Sequence, residues 1–183
     1  MSLVASQNRK MVVALRDCPA RLVPAGTKII IPKDTFVTIT QDLGGNYTVA
    51  VNGNMARVDG TDAGALGLKA EELEFEASQD KTINEEQVWQ ALKTIYDPEI
   101  PVNLVDLGLI YSVKIEQSSK TVYIEMTLTA PGCGMGPVLV SDVKYRTSKV
   151  PNVEQVEVDL VFTPTWNRDM MSDEAKLETG LFF

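Results

Sequence analysis

The sequence predicts an α+β chain, with a small N-terminal all-β module followed by a two-layer α/β sandwich domain. Three observations lead there. Short β-prone runs separated by turn signals fill residues 11–60, and a stretch of small and acidic residues then breaks the pattern near residue 79. Beyond it, helical and alternating periodicities follow one another as helix, hairpin, helix, strand. The expected domains are residues 1–79 and 80–183. A chain of 183 residues that is 44% hydrophobic and 23% charged has enough apolar material for a real core.

The β module is read from Met11–Leu15, Thr27–Ile31, Phe36–Thr40, Tyr47–Val51 and Met55–Val58. Pro24-Ala-Gly26, Pro32-Lys-Asp34, Asp42-Leu-Gly-Gly-Asn46 and Asn52-Gly53 punctuate these runs. The last is a type I′ hairpin signal, because both residue types accept positive φ. A barrel or compact sandwich is expected. From Asp59 to Lys81 the pattern weakens, which places the boundary near residue 79.

The second domain opens at Asn84, a good N-cap with Glu85 and Glu86 in the first turn and Gln87 at the reach-back position. Val88, Leu92 and Ile95 recur at helical spacing, so the helix should run to about Tyr96 before Pro98 and Pro101 stop it. Val102–Gly108 is a loop punctuated by carboxylates. Leu109–Glu116 and Thr121–Thr129 alternate around Gln117-Ser-Ser-Lys120 as an antiparallel hairpin. Val138–Val150 follows as a helix with Leu139, Val140 and Val143 on one side, and Val153–Phe162 as a third strand. After the loop Thr163–Met171, Ser172 with Asp173 and Glu174 starts a short helix that Gly180 closes.

Composition narrows the function. The net charge of −8 comes without a Lys/Arg-rich stripe, which argues against nucleic acid as a partner. No run approaches the roughly 18 apolar residues that span a bilayer, and residues 1–10 lack a signal-peptide h-region. A cytoplasmic location with no membrane partner is expected. The chain has no histidine, which removes the usual general base, the common catalytic triads and every imidazole metal site. It has two cysteines, Cys18 and Cys133, so one chain cannot supply the four thiolates of a zinc ribbon or ferredoxin-type cluster. A soft-metal site would need carboxylates, a small thiol or a second copy. A homodimer, which would also cover the apolar end Leu181-Phe182-Phe183, is expected on that ground.

The chemistry concentrates in Thr129-Ala130-Pro131-Gly132-Cys133-Gly134-Met135-Gly136-Pro137, between a strand pattern and a helix pattern. Gly132 and Gly134 leave little bulk around the Cys133 thiol. A helix beginning near Gly136 would favour a thiolate or an anion there. Asp17-Cys18-Pro19 follows the first strand directly. Cys18 reads either as a small buried hydrophobe at a strand end, or as a second metal ligand or resolving thiol for Cys133.

Several segments occur together in one order: Asp97-Pro98-Glu99-Ile100-Pro101, Val105-Asp106-Leu107-Gly108-Leu109-Ile110-Tyr111, Thr127-Leu128-Thr129 with Gly132-Cys133, and Trp166-Asn167-Arg168-Asp169-Met170-Met171-Ser172. This set, which covers most of residues 84–180, resembles the iron–sulfur assembly family that includes SufT of the SUF system, the phenylacetate-oxygenase assembly protein PaaD and the cytosolic iron–sulfur targeting factors of eukaryotes. The β module is similar to that of the longer SufT proteins, including Asp17-Cys18-Pro19 and Leu43-Gly44-Gly45. The resemblance implies a role in maturing iron–sulfur proteins, with a transient iron–sulfur cluster as cargo. It implies Cys133 as cluster or metal ligand, Asp97 in the loop facing it, and the assembly machinery and client apoproteins as partners.

Each candidate residue has a plainer reading beside the functional one. Asp97 before Pro98 is also a turn initiator. Glu99 is also a solvated carboxylate, and Asp106 a brace for its own loop. Trp166 and Arg168 read as a partner hot spot or, for the aromatic, as a cover for the sheet. Two other functions compete with cluster carriage. One is a metal-free adaptor that docks clients. The other is a cysteine enzyme with Asp97 or Glu99 as proton carrier, which the lack of histidine disfavours.

Overall fold

A computed structural model of the chain describes residues 9–43, 46–76, 79–97, 100, 102–129 and 136–179. It divides into two compact units, Met1–Leu73 and Glu74–Phe183.

The first unit is a six-stranded antiparallel sheet of β1 (Lys10–Val13), β2 (Cys18–Leu22), β3 (Lys28–Ile31), β4 (Phe36–Leu43), β5 (Asn46–Val51) and β6 (Asn54–Val58), in the order β1-β4-β5-β6-β2-β3. Asn52 and Gly53 both have positive φ, 48° and 79°, and join β5 to β6 as the dipeptide predicts. Alternate residues fill one core: Val37, Ile39, Val49, Val51, Ala56 and Val58 with Ala20 and Ile31. A 3-10 helix, Gly60–Leu66, adds Ala65 and Leu66 to it. Asp59 caps that helix by accepting from the Thr61 N–H at 3.0 Å.

Two features here differ from expectation. The small residues of Gly60–Leu66 give no clear period, yet they form a 3-10 helix within the first unit. Cys18 is the buried small hydrophobe of one reading, but it opens a strand of its own, β2, that the sequence pattern does not show. Alanine and arginine at its centre are weak strand formers, so the run does not announce itself. Pro19 fits because β2 pairs with β6 only through Arg21 and Leu22, so its missing N–H falls where β3 alone lies alongside.

Cys18 is fully buried in this core, its thiol directed at the Pro19 carbonyl. Burial, reinforced by the negative charge of Asp62 and partly offset by Arg16, pushes the thiol up to about 11.

The second unit contains α1 (Glu85–Leu92), β7 (Ile110–Glu116), β8 (Thr121–Met126), α2 (Gly136–Thr147), β9 (Gln155–Leu160) and α3 (Asp173–Glu178). β7 and β8 form the antiparallel hairpin, and β9 runs parallel to β8 because α2 returns the chain to the same end. Val88, Ala91 and Leu92 of α1 and Leu139 and Val143 of α2 share one core with Val122, Ile124 and Met126 of β8. Asn84 caps α1 through its side chain, 2.9 Å from the Glu86 N–H, and Ser172 caps α3.

α1 stops four residues earlier than its apolar spacing suggests. Lys93 is the C-cap and the Thr94 hydroxyl turns back to the Ala91 carbonyl at 2.5 Å. Ile95 remains in the core, but Tyr96 is extended and bridges Asn103. Among the described residues no helix is long and apolar enough to cross a membrane.

A Cys133→Ser chain retains Cys18 as its one thiol, and this should resist a disulfide reagent in the folded state and titrate fully in guanidinium. Rapid labelling of the native variant would contradict the burial. The raised thiol also sets a sign. The unfolded chain loses this proton before the folded one does, so the stability contributed by Cys18 should fall as pH rises from about 9 towards 11.

Candidate functional site

The segment between α1 and β7 is a loop fixed from inside. Asp97 is buried, and its carboxylate accepts from the Ile100 N–H at 3.1 Å while its own N–H donates to the Val102 carbonyl at 3.2 Å. Farther along, the Asn103 amide donates to Asp106 at 2.6 Å and accepts from the Asp106 N–H at 2.9 Å. Leu104, Leu107 and Leu109 point into the core. Three leucines buried at roughly 2 kcal/mol each anchor a loop whose polar groups hydrogen-bond mainly to one another.

The C-terminal segment seats on this loop. The Trp166 indole N–H donates to the Leu107 carbonyl at 2.6 Å, the Tyr111 hydroxyl donates to the Pro164 carbonyl at 2.6 Å, and the Ser172 N–H donates to the Asp106 carbonyl at 2.7 Å. Gly108 lies beneath Met170 with φ of 78°, and a Cβ there would overlap the Met170 carbonyl. Glycine is required at that position both for the left-handed backbone and for the approach.

α2 is tied to the same region. Arg146, fully buried, donates to the Thr94 hydroxyl at 2.8 Å and to the Thr94 carbonyl at 3.3 Å, just before Asp97. At the other end of α2, a Cβ on Gly136 would stand 3.0 Å from the Leu128 side chain, so the helix start packs closely on the segment just after β8.

The structure brings Asp97, Asp106 and Trp166 into one braced assembly of loop and tail. Asp106 is engaged with Asn103, and Trp166 is half-buried with its N–H used internally. Arg168 is exposed on the turn Arg168–Met170, which Asn167 caps. Cys133, Gly132, Gly134 and Glu99 lie outside the described residues. Among the described residues no group of three or more Cys, Asp or Glu side chains is disposed to hold a metal.

Sequence reasoning missed the roles of Arg146 and Asn103. Arg146 was legible in principle, since Leu139, Val143 and Arg146 fall on one helical stripe and a charge on a core stripe marks a buried link. Asn103 carries no such signal. The Thr127 hydroxyl, at the end of β8, is buried without a hydrogen-bond partner.

A family model described as iron–sulfur cluster assembly protein matches residues 85–160, inside the second unit. A relative from Porphyromonas gingivalis named Fe-S protein maturation auxiliary factor is 49% identical over 96 residues, which are 52% of this chain and 90% of that protein. The chain belongs to the iron–sulfur cluster assembly protein family. The Fe-S protein maturation auxiliary factor SufT of Staphylococcus aureus is 38% identical over 87 residues, 48% of this chain and 98% of that one. A crystal structure of a domain of unknown function, DUF59, from Bacillus anthracis superposes with a TM-score of 0.50 at 39% identity, covering 53% of this chain and 92% of its own. The short family members therefore match about half of this chain.

Gly108→Ala should destabilise the second unit by more than the roughly 1–3 kcal/mol of backbone strain alone, because the Cβ also meets Met170. Gly53→Ala, with similar φ but nothing within 4 Å of its Cβ, should show only the strain. Urea unfolding of both variants checks this, and equal losses would contradict the close approach.

Proposed function

We propose that the chain is a non-enzymatic accessory factor in iron–sulfur protein maturation, which receives a cluster transiently through Cys133 and passes it to client apoproteins. The observation that carries the reading is the 49% identity to a maturation auxiliary factor across 90% of that protein. The names of other relatives, including iron–sulfur cluster carrier proteins, support the same cargo.

The chemistry of the chain is consistent with this role. Of its two thiols, Cys18 is buried and held protonated, which leaves Cys133 to supply a thiolate. Two glycines beside Cys133 leave room for a bulky inorganic group. Asp97, placed by the loop bonds and by the Arg146 link before it, stands as a candidate second oxygen donor or as the group that orients the loop.

One thiolate and one carboxylate hold a cluster weakly, and remaining ligands would come from a small thiol, the client or a second copy of the chain. Weak holding suits transfer, because a carrier must release what it binds. The assembly machinery and client apoproteins are the partners this implies, with a homodimer as the simplest way to share ligands within one protein.

Anaerobic reconstitution with iron and sulfide should give the visible absorption of an iron–sulfur cluster in the wild-type chain and little or none in Cys133→Ser. A colourless, iron-free wild type after reconstitution would contradict carriage. Client capture that is unchanged in Cys133→Ser, together with an iron-free wild type, would instead identify a metal-free adaptor.

A further inference from the structure

The sheet of the second unit packs its helices on one face and leaves the other bare. α1 and α2 share a core with Val122, Ile124 and Met126 of β8. Side chains alternate along a strand, so the intervening residues stand on the opposite face. The register sets them in three rows across β7, β8 and β9: Ser112, Glu125 and Asp159; Lys114, Tyr123 and Glu157; Glu116, Thr121 and Gln155. Lys114, Tyr123, Glu125, Glu157 and Asp159 are exposed, and with Ser112 they line a shallow cleft of about 210 Å³.

The charges on this face do not balance. It carries four carboxylates, Glu116, Glu125, Glu157 and Asp159, against the ammonium of Lys114. Two of them are engaged within the face: the Tyr123 hydroxyl donates to Glu116 at 3.2 Å and the Gln155 amide donates to Glu157 at 2.5 Å. Glu125 and Asp159 stand directly opposite one another on strands about 4.8 Å apart, and among the described residues neither makes an ion pair. Like charges opposed in this way repel, so the sheet carries a cost that a cation would relieve. The negative field reaches the centre of the face, where the charge of Glu116 above all, with Glu157 adding, raises the Tyr123 hydroxyl above its usual range. Lys120, at the hairpin turn, donates instead to the Lys81 carbonyl.

These features select the occupant. A second copy placed face to face would set carboxylate against carboxylate, and a phosphate backbone or an anionic membrane would be repelled. A guanidinium suits both parts of the face, because it forks onto carboxylates and stacks on an aromatic ring, and Tyr123 is 43% exposed beside Glu157. Glu157 and Asp159 lie two residues apart on β9, which is roughly 6.6 Å and equals the repeat of alternate side chains in any extended chain. We propose that this face of β7, β8 and β9 docks an extended segment of a partner protein that carries Arg at alternate positions, laid over Tyr123 and against Glu125, Glu157 and Asp159. Docking here requires neither Cys133 nor a cluster.

The test uses the full chain and two short labelled peptides, one with Arg and one with Gln at alternate positions of an otherwise identical sequence. Fluorescence anisotropy should show saturable binding of the Arg peptide and at least about tenfold weaker binding of the Gln peptide. Glu125→Gln with Asp159→Asn should weaken the Arg peptide at least about tenfold, and Tyr123→Ser alone at least about threefold. The same charge change made on exposed residues away from this face, Asp34→Asn with Glu178→Gln, should leave binding within about twofold of wild type. An equal loss in that control pair would reduce the effect to net charge and overturn the proposal. Absence of saturable binding, equal affinity for the two peptides, or indifference to the Glu125, Asp159 and Tyr123 substitutions would overturn it as well. Urea unfolding should place the Glu125→Gln, Asp159→Asn chain at or above wild type, since the opposed charges are gone, so its lost binding is not lost fold.

Discussion

Gly108 adopts a φ of 78° directly beneath the Met170 carbonyl, and the ordering of the loop-and-tail face follows from that approach. With the tail this close, the Trp166 indole reaches the Leu107 carbonyl and the Ser172 N–H reaches the Asp106 carbonyl. Ordering an irregular loop costs on the order of 1–2 kcal/mol per residue in backbone entropy alone. Leu104, Leu107 and Leu109 offset that cost from below, and the tail does so from above. The carboxylates Asp97 and Asp106 are therefore held in place rather than left to sample solvent. A preorganised loop of this kind loses little further entropy when a ligand or partner engages it.

A second constraint is the shortage of ligands. A chain with no histidine and two cysteines, one of them buried and protonated, has a single thiol to offer. Under the proposed role, so small a ligand set would hold a cluster loosely and favour its release. The Arg146 link to Thr94 fixes the start of the loop that carries Asp97. Family membership supports a role in iron–sulfur protein maturation.

The α+β class, the positions of most elements and the order of helix, hairpin, helix and strand were legible because apolar periodicity is strong there. The Asn52-Gly53 turn and the Asn84 and Ser172 caps were legible because their chemistry is local. What escaped the sequence depends on tertiary context. β2 is built on Cys18, Pro19, Ala20 and Arg21, which form a strand only because β3 and β6 flank them. The early end of α1 reflects the Thr94 hydroxyl turning back and Tyr96 pairing with Asn103, which no spacing rule reveals. At the site, Asp106 and Trp166 stood out by type, but their partners Asn103 and Leu107 could be named only from the fold. Glu99, Gly132, Cys133 and Gly134 lie outside the described residues, so their roles rest on the sequence.

The most direct test of the account follows cluster movement rather than cluster content. The reconstituted chain would be mixed anaerobically with an apo-ferredoxin in the presence of an iron chelator, and cluster arrival would be followed by circular dichroism of the ferredoxin. The account predicts chelator-resistant transfer that requires Cys133 and outpaces free iron with sulfide. Transfer that the chelator abolishes, or that proceeds equally with Cys133→Ser, would contradict it.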